Sequence, residues 1–205
     1  MISKTNGTVG GLPRRSVRAD AQRNIDTLLR AALAVFESSG IDAPVREIAQ
    51  KAGVGIGTIY RHFPQRSDLV VAALCSEVDA CADAGFELAA TLGAGDALVG
   101  WIERYVDFVT RRRGLAAALN SGDAAFRALP TYFLDRLRPV VQSLLDAATD
   151  SGDIRKGIRP EEVLCAVAAL CAPLECPDPP DARRLVAVFL DGLRYGASNR
   201  ILVRG

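Results

Sequence analysis

The stretch AGVGIGTIYRHF, Ala52 to Phe63, decides how the first third of this chain folds. Gly53 and Gly55 lie on either side of a single residue, a spacing typical of a tight turn, and Pro64 ends the segment that follows. The residues between these breakers are predicted to form a short helix that ends near His62. Ile59 and Phe63 lie four residues apart, so both are expected on the buried face of this helix.

Two further helices are predicted before this turn. Apolar residues from Ile25 to Phe36 recur at helical spacing after Asp20, a favourable N-cap, and Gly40 closes the helix. A shorter helix is expected from Pro44 to Ala52, with Gly53 just past its end. Three helices with a short second and third form the layout of a helix-turn-helix domain, here residues 20–66. Residues 1–19 lack this periodicity and are predicted to be a flexible basic arm.

The charge is distributed unevenly along the chain. The whole sequence carries a net charge of only +1, which excludes a uniformly basic surface of the kind that coats nucleic acid. Residues 1–67, however, contain ten Lys and Arg against five Asp and Glu, whereas residues 68–205 contain 15 against 19. A cationic head on an anionic body indicates that the head binds a polyanion.

The third helix of a helix-turn-helix enters the major groove with its N-terminus first. This places Gly55, Ile56, Gly57 and Thr58 nearest to base edges, with the Ile56 side chain available to a thymine methyl group. Ile56 folding back onto the core is the alternative. Tyr60, Arg61 and His62 follow on the third helix and are expected to point toward the duplex backbone, or toward a base edge in the case of Arg61. Cations on the neighbouring helices are expected to contact phosphates as well: Arg46, Lys51 and Arg66. The alternative for His62 is capping of, or packing against, the first helix.

The segment Val45–Phe63, with Pro64, Arg66 and Leu69 after it, closely resembles the DNA-binding domain of TetR-family transcriptional regulators. The resemblance is specific over about residues 20–75. It implies that Tyr60 and His62 contact phosphates, that the body binds a small molecule, and that the chain dimerises through its last two long helices. Pro44 and Gly55 depart from the family pattern, which usually has Thr and Ser there, so each position lacks a hydroxyl group that can cap a helix or bond a phosphate.

Residues 67–205 are predicted to form a helical bundle, which makes the whole protein all-α. Its long helices are expected near 67–92, 96–112 and 130–149. Pro160-Glu161-Glu162 has the composition of a helix start, and the segment from Val163 to Ala172 is apolar on nearly all sides. A second apolar helix is expected over 181–195. Two such helices need enclosure, which favours a homodimer, the alternative being a core formed within one chain.

Aromatic residues in the body suggest where an effector molecule binds. Trp101, Tyr105 and Phe108 share one helix face, and further rings lie on neighbouring segments, which gives the candidate ligand-binding set Phe86, Trp101, Tyr105, Phe108, Phe126 and Phe133. Plain core packing is the alternative for each ring. Arg104 and the run from Arg111 to Arg113 suit either an anion or a solvated helix end.

Other functional classes are less compatible with the sequence. The chain has one histidine, His62, and no carboxylate pair singled out by spacing, so an enzyme is not expected, nor is any cofactor or metal. The five cysteines lack a C-x-x-C spacing and are expected to be apolar core thiols, although a thiol- or metal-responsive regulator stays an alternative. The second alternative is a nonspecific architectural DNA-binding protein. No signal peptide or membrane span is evident, so a soluble cytoplasmic protein is expected.

These inferences combine into one predicted function. The chain is expected to be a TetR-like regulator, a homodimer that binds a pseudo-palindromic operator on double-stranded DNA. A small-molecule effector that prefers a different spacing of the two recognition helices would release the operator.

Overall fold

Eight α-helices make up most of residues 14–111, 124–172 and 180–194, the part of the chain that the computed structural model describes, with side chains described from Gln22 onward. No strand occurs in these ranges, which confirms the all-α fold. In chain order the helices are α1 (Arg14–Ser39), α2 (Val45–Ala52), α3 (Ile56–His62), α4 (Arg66–Thr91), α5 (Ala94–Arg111), α6 (Leu129–Asp150), α7 (Pro160–Leu170) and α8 (Ala182–Arg194). A single 3-10 turn, Ala124–Phe126, precedes α6.

The start of α1 differs from the prediction. The helix begins at Arg14 rather than near Asp20, so residues 14–19 belong to it and are not part of an arm. The run from Arg14 to Arg23 contains neither Gly nor Pro and is rich in Arg and Ala, which have high helix propensity, so the helix continues past the predicted cap. The remaining predicted arm, residues 1–13, lies outside the described residues. The predicted end is confirmed, since Gly40 follows α1 in the left-handed conformation at φ 80°.

The described side chains form two hydrophobic cores. The head core lies among α1, α2, α3 and the first half of α4, where Phe36, Ile48 and Ile59 are each at most 2% exposed. The body core lies among the second half of α4 and helices α5 to α8. We use "head" and "body" for the parts built around these cores. Helix α4 passes without a break from one core to the other, contributing Leu74 to the first and Val78 to the second.

Helices α4, α5 and α6 form the centre of the body. Trp101 on α5 is fully buried, and its indole Nε1 donates a hydrogen bond to the carbonyl oxygen of Cys81 on α4 at 2.9 Å. Gly85 lies at the crossing, where an added Cβ would stand 2.2 Å from Val140 Cγ1 on α6. The absence of a side chain at Gly85 therefore allows α4 and α6 to approach this closely.

Helices α7 and α8 pack on the outside of this centre. The backbone N–H of Arg155, in the α6–α7 connection, donates to the carbonyl of Leu193 at 3.0 Å, and Arg138 on α6 pairs with Glu161 on α7 at 2.6 Å. Among the described residues, no helix is both long enough and apolar enough to cross a membrane.

Candidate DNA interface

The turn between α2 and α3 has the geometry expected from its two glycines. Gly53 adopts the left-handed conformation at φ 68°, and the N–H of Val54 donates to the carbonyl of Ala49 at 3.0 Å. This hydrogen-bonded helix end reverses the chain within two residues. Gly55 then adopts an extended conformation, and the N–H of Thr58 donates to its carbonyl at 2.9 Å as α3 begins. The predicted helix-turn-helix is confirmed.

One face of α3 is fixed on the head core. Ile59 is 1% exposed and belongs to the same core as Phe36 and Ile48, and Phe63, partly buried, packs against that core. Because α3 has only seven residues, these two anchors fix which way its remaining side chains point. The predicted inward assignment of Ile59 and Phe63 is confirmed.

The rest of α3 and the residue before it face outward. The Ile56 side chain is 44% exposed, so it does not fold back onto the core, and Tyr60 is 50% exposed. His62 is exposed, and its ring lies 6.2 Å from that of Phe63 at an angle of 47°, so it does not pack into the head core. The structure thus brings together on one exposed surface the predicted residues Gly55, Ile56, Gly57, Thr58, Tyr60, Arg61 and His62. We call this set the α3 surface.

The α3 surface carries no acidic side chain. Its last turn holds Arg61 and His62, and Arg46 and Lys51 are exposed on the neighbouring helix α2. No side chain caps the N-terminus of α3, since Gly55 lacks a hydroxyl group. The surface therefore suits a partner that is anionic and rich in acceptors.

Arg66 makes hydrogen bonds within the head that its position in the sequence does not predict. Its guanidinium group donates hydrogen bonds to the carbonyl oxygens of Ile41 and Ala43, in the loop between α1 and α2. Both carbonyls lie just after the end of α1, whereas Arg66 is the first residue of α4. The bonded residues are 23 and 25 positions apart in the chain, so sequence spacing does not reveal the contact. Arg66 therefore ties the loop to α4, and its predicted phosphate contact stays a prediction.

The candidate ligand-binding aromatics do not surround one cavity. Trp101 and Tyr105 stack at 5.5 Å and fill the body core, and the Tyr105 hydroxyl donates to the carbonyl of Leu164 at 3.4 Å. Burial raises the pKa of the Tyr105 hydroxyl, which keeps it a donor. Phe86 is 61% exposed on the outside of α4. These three residues form core or surface rather than a cavity lining, because helix-face spacing cannot show how tightly neighbouring helices fill a gap.

The other three rings lie nearer to the head. Phe126 packs in the head core rather than in the body, since the turn before α6 runs back to α4. Phe133 packs against both cores and meets Phe108 edge-to-face at 5.9 Å. Of the six predicted residues, only Phe108 lines a described cavity.

That cavity, which we call the α4–α5 cleft, has a volume of about 190 Å³. Its lining includes Cys81 and Phe108 with the charged residues Glu77, Arg104, Asp107 and Arg111. A wider groove of about 550 Å³ shares Arg104 and Asp107, and Asp107 pairs there with Arg183 of α8. Asp107 is not among the residues predicted from the sequence, although its spacing from Arg104 and Arg111 places all three on one face of α5.

The described cysteines do not form a metal site. Cys81 and Cys171 are buried, Cys75 is partly buried and Cys165 is exposed, whereas Cys176 lies outside the described residues. No cluster of potential metal ligands occurs within the described part of the chain. Burial, with the nearby Asp79 carboxylate, raises the pKa of the Cys75 thiol, which makes it a poorer nucleophile at neutral pH.

The last two helices leave an apolar surface open. On α7 the exposed side chains include Cys165 and Ala169, and on α8 Val188 is 67% exposed beside the half-buried Phe189. We call these four residues the α7–α8 face. In one chain this face has no cover among the described residues, although α8 is amphipathic and also exposes Arg183, Arg184 and Asp191.

Family models match both parts of the chain. A model described as the C-terminal domain of SbtR-like transcriptional regulators matches residues 93–195, and one described as bacterial regulatory proteins of the tetR family matches residues 28–73.

Solved structures agree with these matches. A TetR transcriptional regulator from Streptomyces coelicolor is 37% identical, with a TM-score of 0.70 over 83% of this chain and 98% of its own. A TetR transcription regulatory protein from Mycobacterium vanbaalenii is 35% identical, with a TM-score of 0.67 over 87% of this chain and 99% of its own. The HTH-type transcriptional regulator SrpR of Pseudomonas putida is 37% identical over 79 residues, and the match spans only 37% of its length.

Proposed function

This chain belongs to the TetR family of transcriptional regulators, and from that premise we propose that it is a homodimeric repressor released from a pseudo-palindromic operator by a small-molecule ligand. The observation that carries the proposal is the α3 surface, on which every residue predicted to reach bases or phosphates from the third helix is exposed, while Ile59 is buried in the head core and Phe63 packs against it. The proposed division is a DNA-binding domain over residues 20–66 and an effector-binding, dimerising domain over residues 67–205.

Gly57 supports a close external partner. A Cβ at this position would meet nothing within 4 Å, so nothing in the described structure requires glycine there. Glycine inside a helix costs about 1 kcal/mol relative to alanine. A DNA groove that approaches the backbone of α3 gives this unfavourable residue a reason, with Ile56 and Thr58 beside it contacting base edges.

The cationic and aromatic side chains of the head take the backbone-contacting roles. We assign Tyr60 and His62 to phosphates, Arg61 to a phosphate or a base edge, and Arg46 and Lys51 to phosphates that flank the groove. All five side chains are exposed, so they can meet DNA without rearrangement of the head.

The α7–α8 face supports the homodimer. In an interface with twofold symmetry the same surface of each chain meets itself, so an apolar face such as this one is covered by its own copy. The two recognition helices would then lie about 34–36 Å apart, one turn of the duplex, on successive half-sites. Such a protein acts where the DNA is, in the cytoplasm, and its proposed activity is binding rather than catalysis.

The α4–α5 cleft supports effector binding in the body. It combines an apolar wall, Cys81 and Phe108, with charged groups on α5, including Arg104 and Arg111. An effector acts only through its differential affinity for the two spacings of the recognition helices, so a site that borders α4 is suitably placed.

The first experiment selects bound sequences from random duplex DNA with the full-length protein. A pseudo-palindromic product gives the half-site and its spacing together. Arg61→Ala and Tyr60→Ala are then compared with Arg155→Ala, which removes an exposed arginine from the body. If Arg61 contacts a phosphate, its loss in both protomers makes the negative slope of log K against log salt concentration less steep by about 1.8. If it contacts a base, its loss relaxes selection at one position instead.

Both head variants are expected to bind more weakly while the dimer persists, and the Arg155 variant to bind as the unaltered protein does. Unchanged operator affinity of Arg61→Ala and Tyr60→Ala at fixed salt would refute the interface. A strictly monomeric protein that binds no duplex would refute the whole proposal.

A further inference from the structure

A short piece of the body is built into the head core. Every described buried side chain of that core comes from residues 28–74 except two, Phe126 and Leu129, which are 7% and 3% exposed. They belong to the 3-10 turn and to the first residue of α6. We call residues 124–129 the wedge.

The wedge is joined to the body by continuous aromatic packing. Phe133 lies one helical turn after Leu129 and packs against both cores. Its ring meets Phe108 of α5 edge-to-face at 5.9 Å, and Phe108 stacks on Tyr105 at 6.0 Å. Phe108 also lines the α4–α5 cleft. Ring contacts therefore link the cleft, through Phe108 and Phe133, to the head core, and close-packed interiors transmit strain.

Hydrogen bonds fix the start of α4 and tie it to the loop between α1 and α2. The guanidinium group of Arg66 holds the carbonyls of Ile41 and Ala43, and the Asp68 carboxylate accepts the backbone N–H of Gln65 at 2.9 Å. Among the described residues, the elements that contribute buried side chains to the head core and continue into the body are helix α4 and the wedge. A single helix can bend and twist along its length, so a second point of support is needed to fix the angle of the head.

We propose that Phe126 is a positioning residue that sets the orientation of the head on the body, and through it the spacing of the two recognition helices on the operator. It cannot contact DNA itself, because it is buried at the base of the head. This inference rests on the proposed function for its consequence on the operator, but the orientation of the head is a property of each chain.

The test measures head orientation and operator binding separately in the full-length protein. Fluorophores are placed at Glu37 on α1 and Ser143 on α6, which are both exposed, in one chain per molecule, and their distance distribution is read by single-molecule energy transfer. The variants are Phe126→Ala, the conservative Phe126→Leu, and the control Leu144→Ala, which removes a side chain that is 3% exposed in the body core, away from the wedge.

Phe126→Ala is expected to broaden the head-to-body distance distribution while α3 stays folded. If the competent spacing falls to about a tenth of the population, the apparent operator Kd rises about tenfold, with the salt slope unchanged because the phosphate contacts are intact. Phe126→Leu is expected to retain most of the unaltered protein's narrow distance distribution and most of its operator affinity. Leu144→Ala is expected to lower the free energy of unfolding while leaving both unchanged.

A Phe126→Ala protein whose distance distribution matches that of Leu144→Ala overturns the inference, whatever its stability. If the unaltered protein binds no operator, the proposed function fails, but the distance measurement still decides the role of Phe126. A broadened distribution with unchanged operator affinity shows that orientation does not control binding, and this too overturns the proposal.

Discussion

Replacement of Gly57 by alanine separates folding from DNA binding most sharply. The position lies inside α3, outside the left-handed region of backbone conformation, and a Cβ there would meet nothing within 4 Å in the described structure. Alanine is favoured over glycine in a helix by about 0.8–1.0 kcal/mol. Because Gly57 is the second residue of α3 rather than a central one, Gly57→Ala is expected to raise the free energy of unfolding by at most that amount, and Tm by at most about 2–4 °C.

Operator binding is expected to change in the opposite direction. A methyl group inserted where the backbone meets a groove is an overpacking defect, for which about 1 kcal/mol per half-site is the lower end of the usual cost. Two half-sites give about 2 kcal/mol, which corresponds to an operator affinity about 30-fold weaker.

Thermal unfolding and fluorescence anisotropy with the selected operator, at one salt concentration, measure the two effects. Gly100→Ala is the matched control, since Gly100 also lies inside a helix and its Cβ would make only ordinary contacts, the nearest with Leu88 at 3.5 Å. It is expected to stabilise the protein similarly without changing operator affinity. A Gly57→Ala protein that is more stable and binds the operator as tightly as before would show that α3 does not approach DNA through this position.

Three further predictions concern the body. Gly85→Ala places a Cβ 2.2 Å from Val140 Cγ1, and because overpacking of about 3 kcal/mol outweighs the gain in helix propensity, chemical denaturation is expected to show a protein less stable by about 2 kcal/mol. An added Val140→Ala should recover part of this lost stability, and a double variant whose loss of stability is the simple sum of the two single losses would contradict the clash. Asp153→Ala removes a carboxylate that accepts a hydrogen bond from the backbone N–H of Gly95, in the first turn of α5, at 2.9 Å, and the loss of this cap should lower the free energy of unfolding by about 1 kcal/mol. An unchanged free energy of unfolding would show that water replaces the cap. Burial and a hydrogen bond to Asp79 raise the pKa of Tyr132 to about 12, so the contribution of Tyr132 to the free energy of unfolding is complete below pH 10 and declines as the pH rises toward 12. Tyr132→Phe should therefore lose less stability than the unaltered protein between pH 10 and 12, and parallel pH profiles of stability for the two proteins would refute this contribution.

The head illustrates how far local sequence reaches. The left-handed glycines at 40 and 53 end helices where the sequence placed them, and the four-residue spacing of Ile59 and Phe63 decides which face of α3 is buried. Each of these features depends on residues within one or two turns of each other. The exposed α3 surface follows from them directly, so its members can be identified from the order of the residues alone.

The body illustrates where that reach ends. Spacing places Trp101, Tyr105 and Phe108 on a common face, but whether that face encloses a cavity depends on how closely α4 and α6 approach it, and Gly85 lets them approach until the space is filled. The position of Phe126 in the head core likewise depends on a turn that returns to α4.

Periodicity in the chain thus determined which residues are helical, where most helices end and which side of each turns inward, because those properties arise from short-range sterics and hydrogen bonds. Only the tertiary structure decided that Arg66 holds the loop between α1 and α2 and that Phe126 belongs to the head core. Both outcomes require segments far apart in sequence to meet, and the identity of the meeting surfaces is set by the packing of all the helices together.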